Sequence, residues 1–426
     1  MDAFNYREAN LFAEEVPVDS IAERFGTPCY VYSVDTFKRH FTAFADPLAA
    51  SGVPHQICYA VKANSNIAIL KLLADLGSGF DVVSMGELQR VLAAGGEAGK
   101  TIFSGVGKSV EEIRFALEVG IECLNVESVA ELDRIANIAK SMGVQAPIAI
   151  RVNPDVDANT HPYIATGLKE NKFGVEMGQA EALCQQAHAN DHLKLLGVGC
   201  HIGSQLLSVE PFVEAVGRVL GLYQRLQSVG ITLTQLDFGG GLGVPYQGEE
   251  PPSPKSYIEA IVAKLAEFSL NPAPKLMFEP GRAIAANAGI LVTRVEYLKP
   301  TQEKDFVVVD AAMNDLLRPS LYSAWQEIVP VDKALAGETI TGDIVGPVCE
   351  TGDFLGKERE VLVAEGSLLA VRTAGAYGFT MSSNYNTRNR AAEVLVDGSD
   401  VMLIRQRECF DDQIRLETVT PERHRL

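Results

Sequence analysis

Residues 57–64 read Ile57-Cys58-Tyr59-Ala60-Val61-Lys62-Ala63-Asn64, an apolar run that stops at one lysine. Small and polar residues follow, and a helical pattern of apolar positions starts near Ile67. A short continuous apolar run that hands over to a helix has the form of a strand buried on both faces. A lysine at the tip of such a strand is costly unless its ammonium is paired or bonded. Two readings follow for Lys62. It is bonded covalently, as a Schiff base to a cofactor aldehyde, or it is a strand-end lysine that simply reaches solvent.

The same handover recurs downstream. Further strands are expected at Phe80–Val83, Thr101–Phe103, Cys123–Val126, Ile148–Val152, Leu195–Cys200, Thr234–Phe238 and Leu276–Phe278. Helical patterns lie between most of them, at Ile67–Leu76, Gly86–Ala94, Val110–Val119, Val129–Met142, Pro211–Ser228 and Ser256–Leu270. Three helix starts have the capping-box pattern, Ser84/Glu87, Ser109/Glu112 and Ser128/Glu131. Alternation repeated about eight times over roughly 250 residues predicts a (β/α)8 barrel of the TIM type. Its rival is a doubly wound open sheet, whose dinucleotide version is weakened because no G-x-G-x-x-G follows the first strand. The longest interruption, 153–180, contains His161-Pro162 and reads as an irregular loop at the barrel mouth.

From residue 291 the rhythm changes to short β-like runs separated by turn residues: Leu291–Val295, Phe306–Val309, Ile344–Val345, Val361–Val363, Leu368–Val371, Glu393–Val396 and Val401–Ile404. The expectation is a barrel over 37–290 that binds the cofactor. A β-rich barrel or sandwich domain, made of 1–36 and 291–426, completes the active site. The lead-in belongs to it through a strand at Pro28-Cys29-Tyr30-Val31-Tyr32.

Composition bounds the rest. A net charge of −18 excludes the basic footprint of a nucleic-acid binder. Seven scattered cysteines, none at CxxC spacing, argue against a disulfide framework or structural zinc. The N-terminus is acidic and unlike a targeting segment, and no apolar run approaches the roughly 20 residues of a membrane helix. A cytoplasmic location is expected.

In such a barrel the C-terminal ends of the strands line the site. Those ends read Lys62, Asp81, Ser104, Asn125, Arg151, His201, then Gly239-Gly240-Gly241, then Glu279-Pro280-Gly281-Arg282. The glycines expose backbone N–H groups in a tight turn, a suitable phosphate cradle. Glu279 can pair with a ring nitrogen or with Arg282, and Arg282 can fork onto a carboxylate or phosphate. The β-rich part adds Arg318 and Tyr322, a thiol beside acids in Cys349-Glu350-Thr351-Gly352-Asp353, and Tyr377 ahead of a polar run, Met381–Asn386.

These motifs, YAVKAN at 59–64, HIGSQ at 201–205, GGGLG at 239–243, EPGR at 279–282, GPVCETGD at 346–353 and GAYGFTMSSNYNTR at 375–388, resemble the diaminopimelate decarboxylases in the right order over nearly the whole chain. The resemblance implies an alanine-racemase-like barrel followed by a β-domain, with pyridoxal 5'-phosphate as cofactor. It implies that Lys62 carries the cofactor, that Glu279 binds the pyridine nitrogen and that His201 stacks on the ring. Ser204, Gly240, Gly241, Gly281, Arg282 and Tyr377 would hold the cofactor, chiefly its phosphate, and Asp81 would hydrogen-bond His201. Arg282, Arg318, Tyr322, Glu350 and Tyr377 would hold an amino-acid substrate. Cys349 would be the proton donor, supplied across a homodimer. The family often reads Arg-Pro-Arg-Pro where this chain has Arg388-Asn389-Arg390-Ala391. The alternatives are an ornithine, arginine or carboxynorspermidine decarboxylase of the same fold, or an amino-acid racemase.

Overall fold

The computed structural model describes residues 2–157 and 171–421, which form two compact units, Thr36–Ala286 and Met1–Asp35 with Asn287–Leu426. In the first unit eight parallel strands close into a ring. They are His55–Ala60, Gly79–Val82, Thr101–Phe103, Cys123–Val126, Ala146–Asn153, Leu193–Gly199, Gln235–Asp237 and Lys275–Phe278. Neighbours pair in order, from Cys58 opposite Gly79 around to Leu276 opposite His55. Helices Ile67–Asp75, Met85–Ala93, Val110–Val119, Val129–Met142, Met177–His188, Glu210–Ser228 and Pro254–Ala266 follow the first seven strands. The fold is the expected (β/α)8 barrel.

Two expectations need correction. The interruption after the fifth strand is shorter than 153–180, because strand Val175–Glu176 and helix Met177–His188 begin inside it. Residues 158–170, His161-Pro162 among them, lie outside the described residues. Of the three expected capping boxes, Ser109/Glu112 alone is reciprocal. Ser84 and Ser128 do cap their helices, but Glu87 accepts the N–H of Val83, and Glu131 that of Glu127, each one residue before the cap. The sequence reading also omitted helix Val34–Ser51, whose pattern is broken by Pro47.

Inside the ring pack Cys58, Ile102, Cys123, Ala149 and Met277. Below them, toward the strand starts, Gln56 Nε2 donates to Glu122 Oε2 at 2.8 Å and to the Lys100 carbonyl at 3.0 Å, and Lys275 forms an ion pair with Glu122. This polar cluster lies at the opposite end of the barrel from Lys62.

The second unit is a β-structure built on strand Gly289–Pro300, which pairs antiparallel with Cys29–Ser33, Leu368–Val371 and Asp305–Val309. Cys29–Ser33 pairs on its other edge, in parallel, with Ala392–Asp397. All five of its residues are buried, which explains its continuous apolar character. Phe4, Leu11, Ile21, Val31, Ile290, Val292 and Val394 share one core. The hairpin strands Phe4–Arg7 and Asn10–Ala13 and the helix Val18–Phe25 were not legible in the sequence. Among the described residues no helix is long and apolar enough to cross a membrane.

Candidate active site

Lys62 lies in a single 3-10 turn, Val61–Ala63, directly after the first barrel strand. Its Nζ is 2.6 Å from Asp81 Oδ2 at the second strand; the lysine side chain is 39% exposed and the aspartate fully buried. The pair balances the charge that made Lys62 costly, and the exposure leaves its amine accessible from the mouth. Asp81 Oδ1 is buried with no hydrogen-bond partner. The sequence reading gave Asp81 to His201; the hydrogen bond found at Asp81 goes to Lys62.

His201 follows the sixth strand. Its Nδ1 faces the backbone N–H of Gly240 at 3.2 Å and so acts as acceptor, which puts the ring proton on Nε2. Desolvation pushes its pKa well below the ordinary histidine value, and the charges of Arg151 and Lys62 act in the same direction. The imidazole is therefore neutral at physiological pH.

Glu279 ends the eighth strand, and its N–H donates to the Gly239 carbonyl at 2.7 Å. Desolvation raises its pKa well above the carboxylate range. Asp237 and Asp81 add to the rise, and Lys62 opposes it. Asp237, also raised chiefly by desolvation, shares a hydrogen bond with Glu279, so one of the two carboxyls carries a proton. Asp237 Oδ1 accepts the Gly239 N–H at 2.8 Å, and Oδ2 is 3.5 Å from Asn125 Nδ2. Ser104, Asn125, Arg151, His201, Asp237 and Glu279 line one cavity. The sequence reading missed Asp237, although it stands two residues before the glycines.

Gly239 and Gly241 hold positive φ of 65° and 114°, which favours glycine. A Cβ at Gly240 would run into the Glu279 carbonyl oxygen, and one at Gly241 into that of Gly203. The glycine turn is clasped by Leu206, whose N–H donates to Gly241 O and whose carbonyl accepts from Gly243 N–H, each at 3.0 Å. Beside it Arg282 directs Nε and Nη2 to Ser204 Oγ at 3.2 and 3.1 Å, and Nη1 to the Tyr246 hydroxyl at 2.7 Å. Gly281 packs where a Cβ would lie 3.0 Å from that of Ala60, so the Glu279–Arg282 turn closes on the strand that carries Lys62.

Behind the mouth, the Lys108 ammonium is buried on three acceptors: the Gly105 and Asn125 carbonyls at 2.8 and 2.7 Å, and Glu131 at 2.8 Å. Glu127 receives Arg151 Nη1 at 3.1 Å and the N–H of Gly105 at 2.7 Å. This scaffold was not legible in the sequence, because its members come from three different strand ends.

The remaining expected residues belong to the β-structured unit. Arg318 and Tyr322 open and close helix Arg318–Tyr322, with Arg318 buried. Ser320 Oγ of that helix donates to the Gly352 carbonyl at 2.6 Å, which ties the helix to the loop of Cys349 and Glu350. Both of those residues are exposed. Tyr377 sits at φ 53° in the turn after Gly375.

Residues 34–286 match the family model for the pyridoxal binding domain of pyridoxal-dependent decarboxylases. Pyridoxal phosphate is the cofactor of that class, and the mouth fits it. An accessible lysine stands beside a buried carboxylate oxygen that lacks a partner, and a glycine turn that admits no side chain stands beside an arginine fork. The chain is 57% identical to the diaminopimelate decarboxylase of Pseudomonas aeruginosa, over 99% of this chain and 100% of that one. Among solved structures, that of diaminopimelate decarboxylase from Helicobacter pylori complexed with L-lysine is 43% identical, with a TM-score of 0.89 over 94% of this chain and 99% of that one. That of diaminopimelate decarboxylase from M. jannaschii in co-complex with L-lysine is 37% identical, with a TM-score of 0.93 over 99% and 98%. Within the pyridoxal-dependent decarboxylases, the chain belongs to the diaminopimelate decarboxylase family.

Proposed function

We propose that this chain decarboxylates meso-2,6-diaminopimelate to L-lysine and CO2, the last step of lysine biosynthesis, with pyridoxal 5'-phosphate as cofactor. The observation that carries the reading is full-length identity of 57% to a relative named for that activity, joined to a barrel mouth whose residues suit the cofactor. When bound, the cofactor supplies an electron sink for the pair left behind as the Cα–carboxylate bond breaks.

The chain's own residues hold, orient and protonate. Lys62 is the amine that anchors the cofactor aldehyde, and Asp81 at 2.6 Å orients its Nζ. Glu279 would pair through its carboxylate with the ring nitrogen and keep that nitrogen protonated. His201, neutral and fixed by the Gly240 N–H, offers a flat face and keeps water from one side of the ring. Ser204, Gly240, Gly241, Gly281, Arg282 and Tyr377 hold the phosphate. On the substrate, Arg318 grips the distal carboxylate through its planar fork and Glu350 pairs with the distal ammonium, with Arg282, Tyr322 and Tyr377 completing the pocket. Ornithine and lysine have no distal carboxylate, so an arginine in that position selects against them. The Cys349 thiol gives its proton to Cα after CO2 has left. The chain works in the cytoplasm as a homodimer, and Cys349 serves the partner's site.

Borohydride reduction of the holoenzyme followed by peptide mapping should place the pyridoxyl label on Lys62. A label on another lysine, or none, would overturn the reading. In a CO2-release assay the enzyme should turn over meso-diaminopimelate and not ornithine, arginine or carboxynorspermidine.

A further inference from the structure

Cys349 and Glu350 are held by two residues that the reading above leaves without a role. Asn386 Oδ1 accepts the backbone N–H of Cys349 at 3.0 Å, and the next residue back, Tyr385, donates its hydroxyl to Glu350 Oε1 at 2.5 Å. Both come from one tight turn, Tyr385–Thr387, in which Asn386 and Thr387 take φ of 54° and 56°. That left-handed conformation is unfavourable for most L residues and is tolerated best by Gly, Asn and Asp. A strained turn at this position is therefore held in place by its surroundings.

Those surroundings are firm. Arg388, the next residue along, donates Nε to Asn314 Oδ1 at 3.1 Å and Nη2 to the Asp310 carbonyl at 2.5 Å. Asn384 Nδ2 bonds Glu408 Oε2 at 2.7 Å, and Ser383 N–H bonds the Asn314 carbonyl at 2.9 Å. The loop on the other side has its own root in buried Asp353, which accepts the N–H groups of Val348 at 2.7 Å and Met313 at 2.6 Å. Between these two anchored bases the Tyr385–Asn386 pair reaches across to the Cys349–Glu350 pair, one side chain to each residue.

We propose that Tyr385 and Asn386 are positioning residues for the decarboxylation. Asn386 fixes the main chain that carries the proton-donating thiol, and Tyr385 fixes the carboxylate that recognises the distal ammonium. This rests on the roles given above to Cys349 and Glu350. It assigns separate tasks to adjacent residues, so the two should fail differently. Asn386→Gly removes the amide oxygen while keeping the left-handed backbone free of strain. It should lower kcat about tenfold or more, because a small misplacement of a reacting group is expensive, while KM stays close to wild type. Tyr385→Phe removes only the hydroxyl and should raise KM about threefold or more with kcat close to wild type. In the Asn386→Gly holoenzyme, the iodoacetamide reaction rate of Cys349, read by peptide mass, should also change, with the cofactor absorbance retained.

Equal shifts of kcat and KM in both variants, or wild-type kinetics in both, would overturn the assignment. Should Asn386→Gly fail to fold, Asn386→Asp provides the second arm: it keeps an acceptor oxygen and a residue at ease at positive φ. It should lie closer to wild type in kcat than Asn386→Leu, and the reverse order would count against the proposal. Cys349→Ala separates the two levels. Wild-type turnover there would remove the proton donor itself, whereas slow Cys349→Ala beside unimpaired Asn386→Gly would remove the positioning role alone.

Discussion

Gly240 has no room for a side chain, since a Cβ there would meet the Glu279 carbonyl oxygen. The substitution Gly240→Ala must therefore push the glycine turn away from the Glu279–Arg282 turn and misalign the N–H groups proposed to hold phosphate. The affinity of the apo-protein for pyridoxal 5'-phosphate should fall about tenfold or more, measured by absorbance titration. Gly99→Ala, with open space around its Cβ, is the control. Wild-type cofactor affinity in Gly240→Ala would mean that the turn is not the phosphate cradle. At this scale the sequence showed residue types better than partners. Lys62, His201, the glycines and Glu279 stood out because each ends an apolar strand. Asp237 did not, because what gives it meaning is Glu279, which arrives from the next strand of the ring. Asn386 was hidden for the same reason, since its bond to Cys349 spans two loops far apart in sequence.

Among the elements, the eight barrel strands were legible because each is covered on both faces and therefore reads as an unbroken apolar run. Thr101–Phe103 and Cys123–Val126 have the expected bounds, and the other six differ by a residue or two at one or both ends, since a strand ends where its ladder partner ends. The helix Val34–Ser51 and the amino-terminal hairpin were not legible: the first contains Pro47, and the second has strands too short for alternation to register. One joint between elements carries a pH signature. Asp315 links strand Cys29–Ser33, through Tyr30 Oη on its carbonyl at 2.6 Å, to the turn before helix Arg318–Tyr322, through the Ala312 N–H on Oδ2 at 3.0 Å. Desolvation pushes its carboxyl up to about 7. In the unfolded chain it ionises near 4. Its contribution to stability is complete below that value and is lost as pH rises toward the folded pKa, because only the unfolded state releases the proton easily. Asp315→Asn cannot titrate, so its stability relative to wild type should improve between pH 5 and pH 8 by at most about 3 kcal/mol. Urea melts at the two pH values read this directly, and a difference independent of pH would refute it.

For the whole molecule, the residues proposed for the chemistry fall in both units, Lys62 in the barrel and Cys349 and Glu350 in the β-structure. If the partner supplies the thiol, inactive Lys62→Ala chains mixed with inactive Cys349→Ala chains should regain part of the wild-type activity. No recovery after verified subunit exchange would assign both residues to one chain's site. The weave of the second unit has a consequence in time. Strand Cys29–Ser33 leaves the ribosome well before its two neighbours in the sheet, Gly289–Pro300 and Ala392–Asp397. The ring of eight strands needs nothing beyond Phe278 to close. During synthesis a complete barrel, Lys62 included, can thus exist while the strand ahead of it still waits for a sheet and Cys349 has not yet been made.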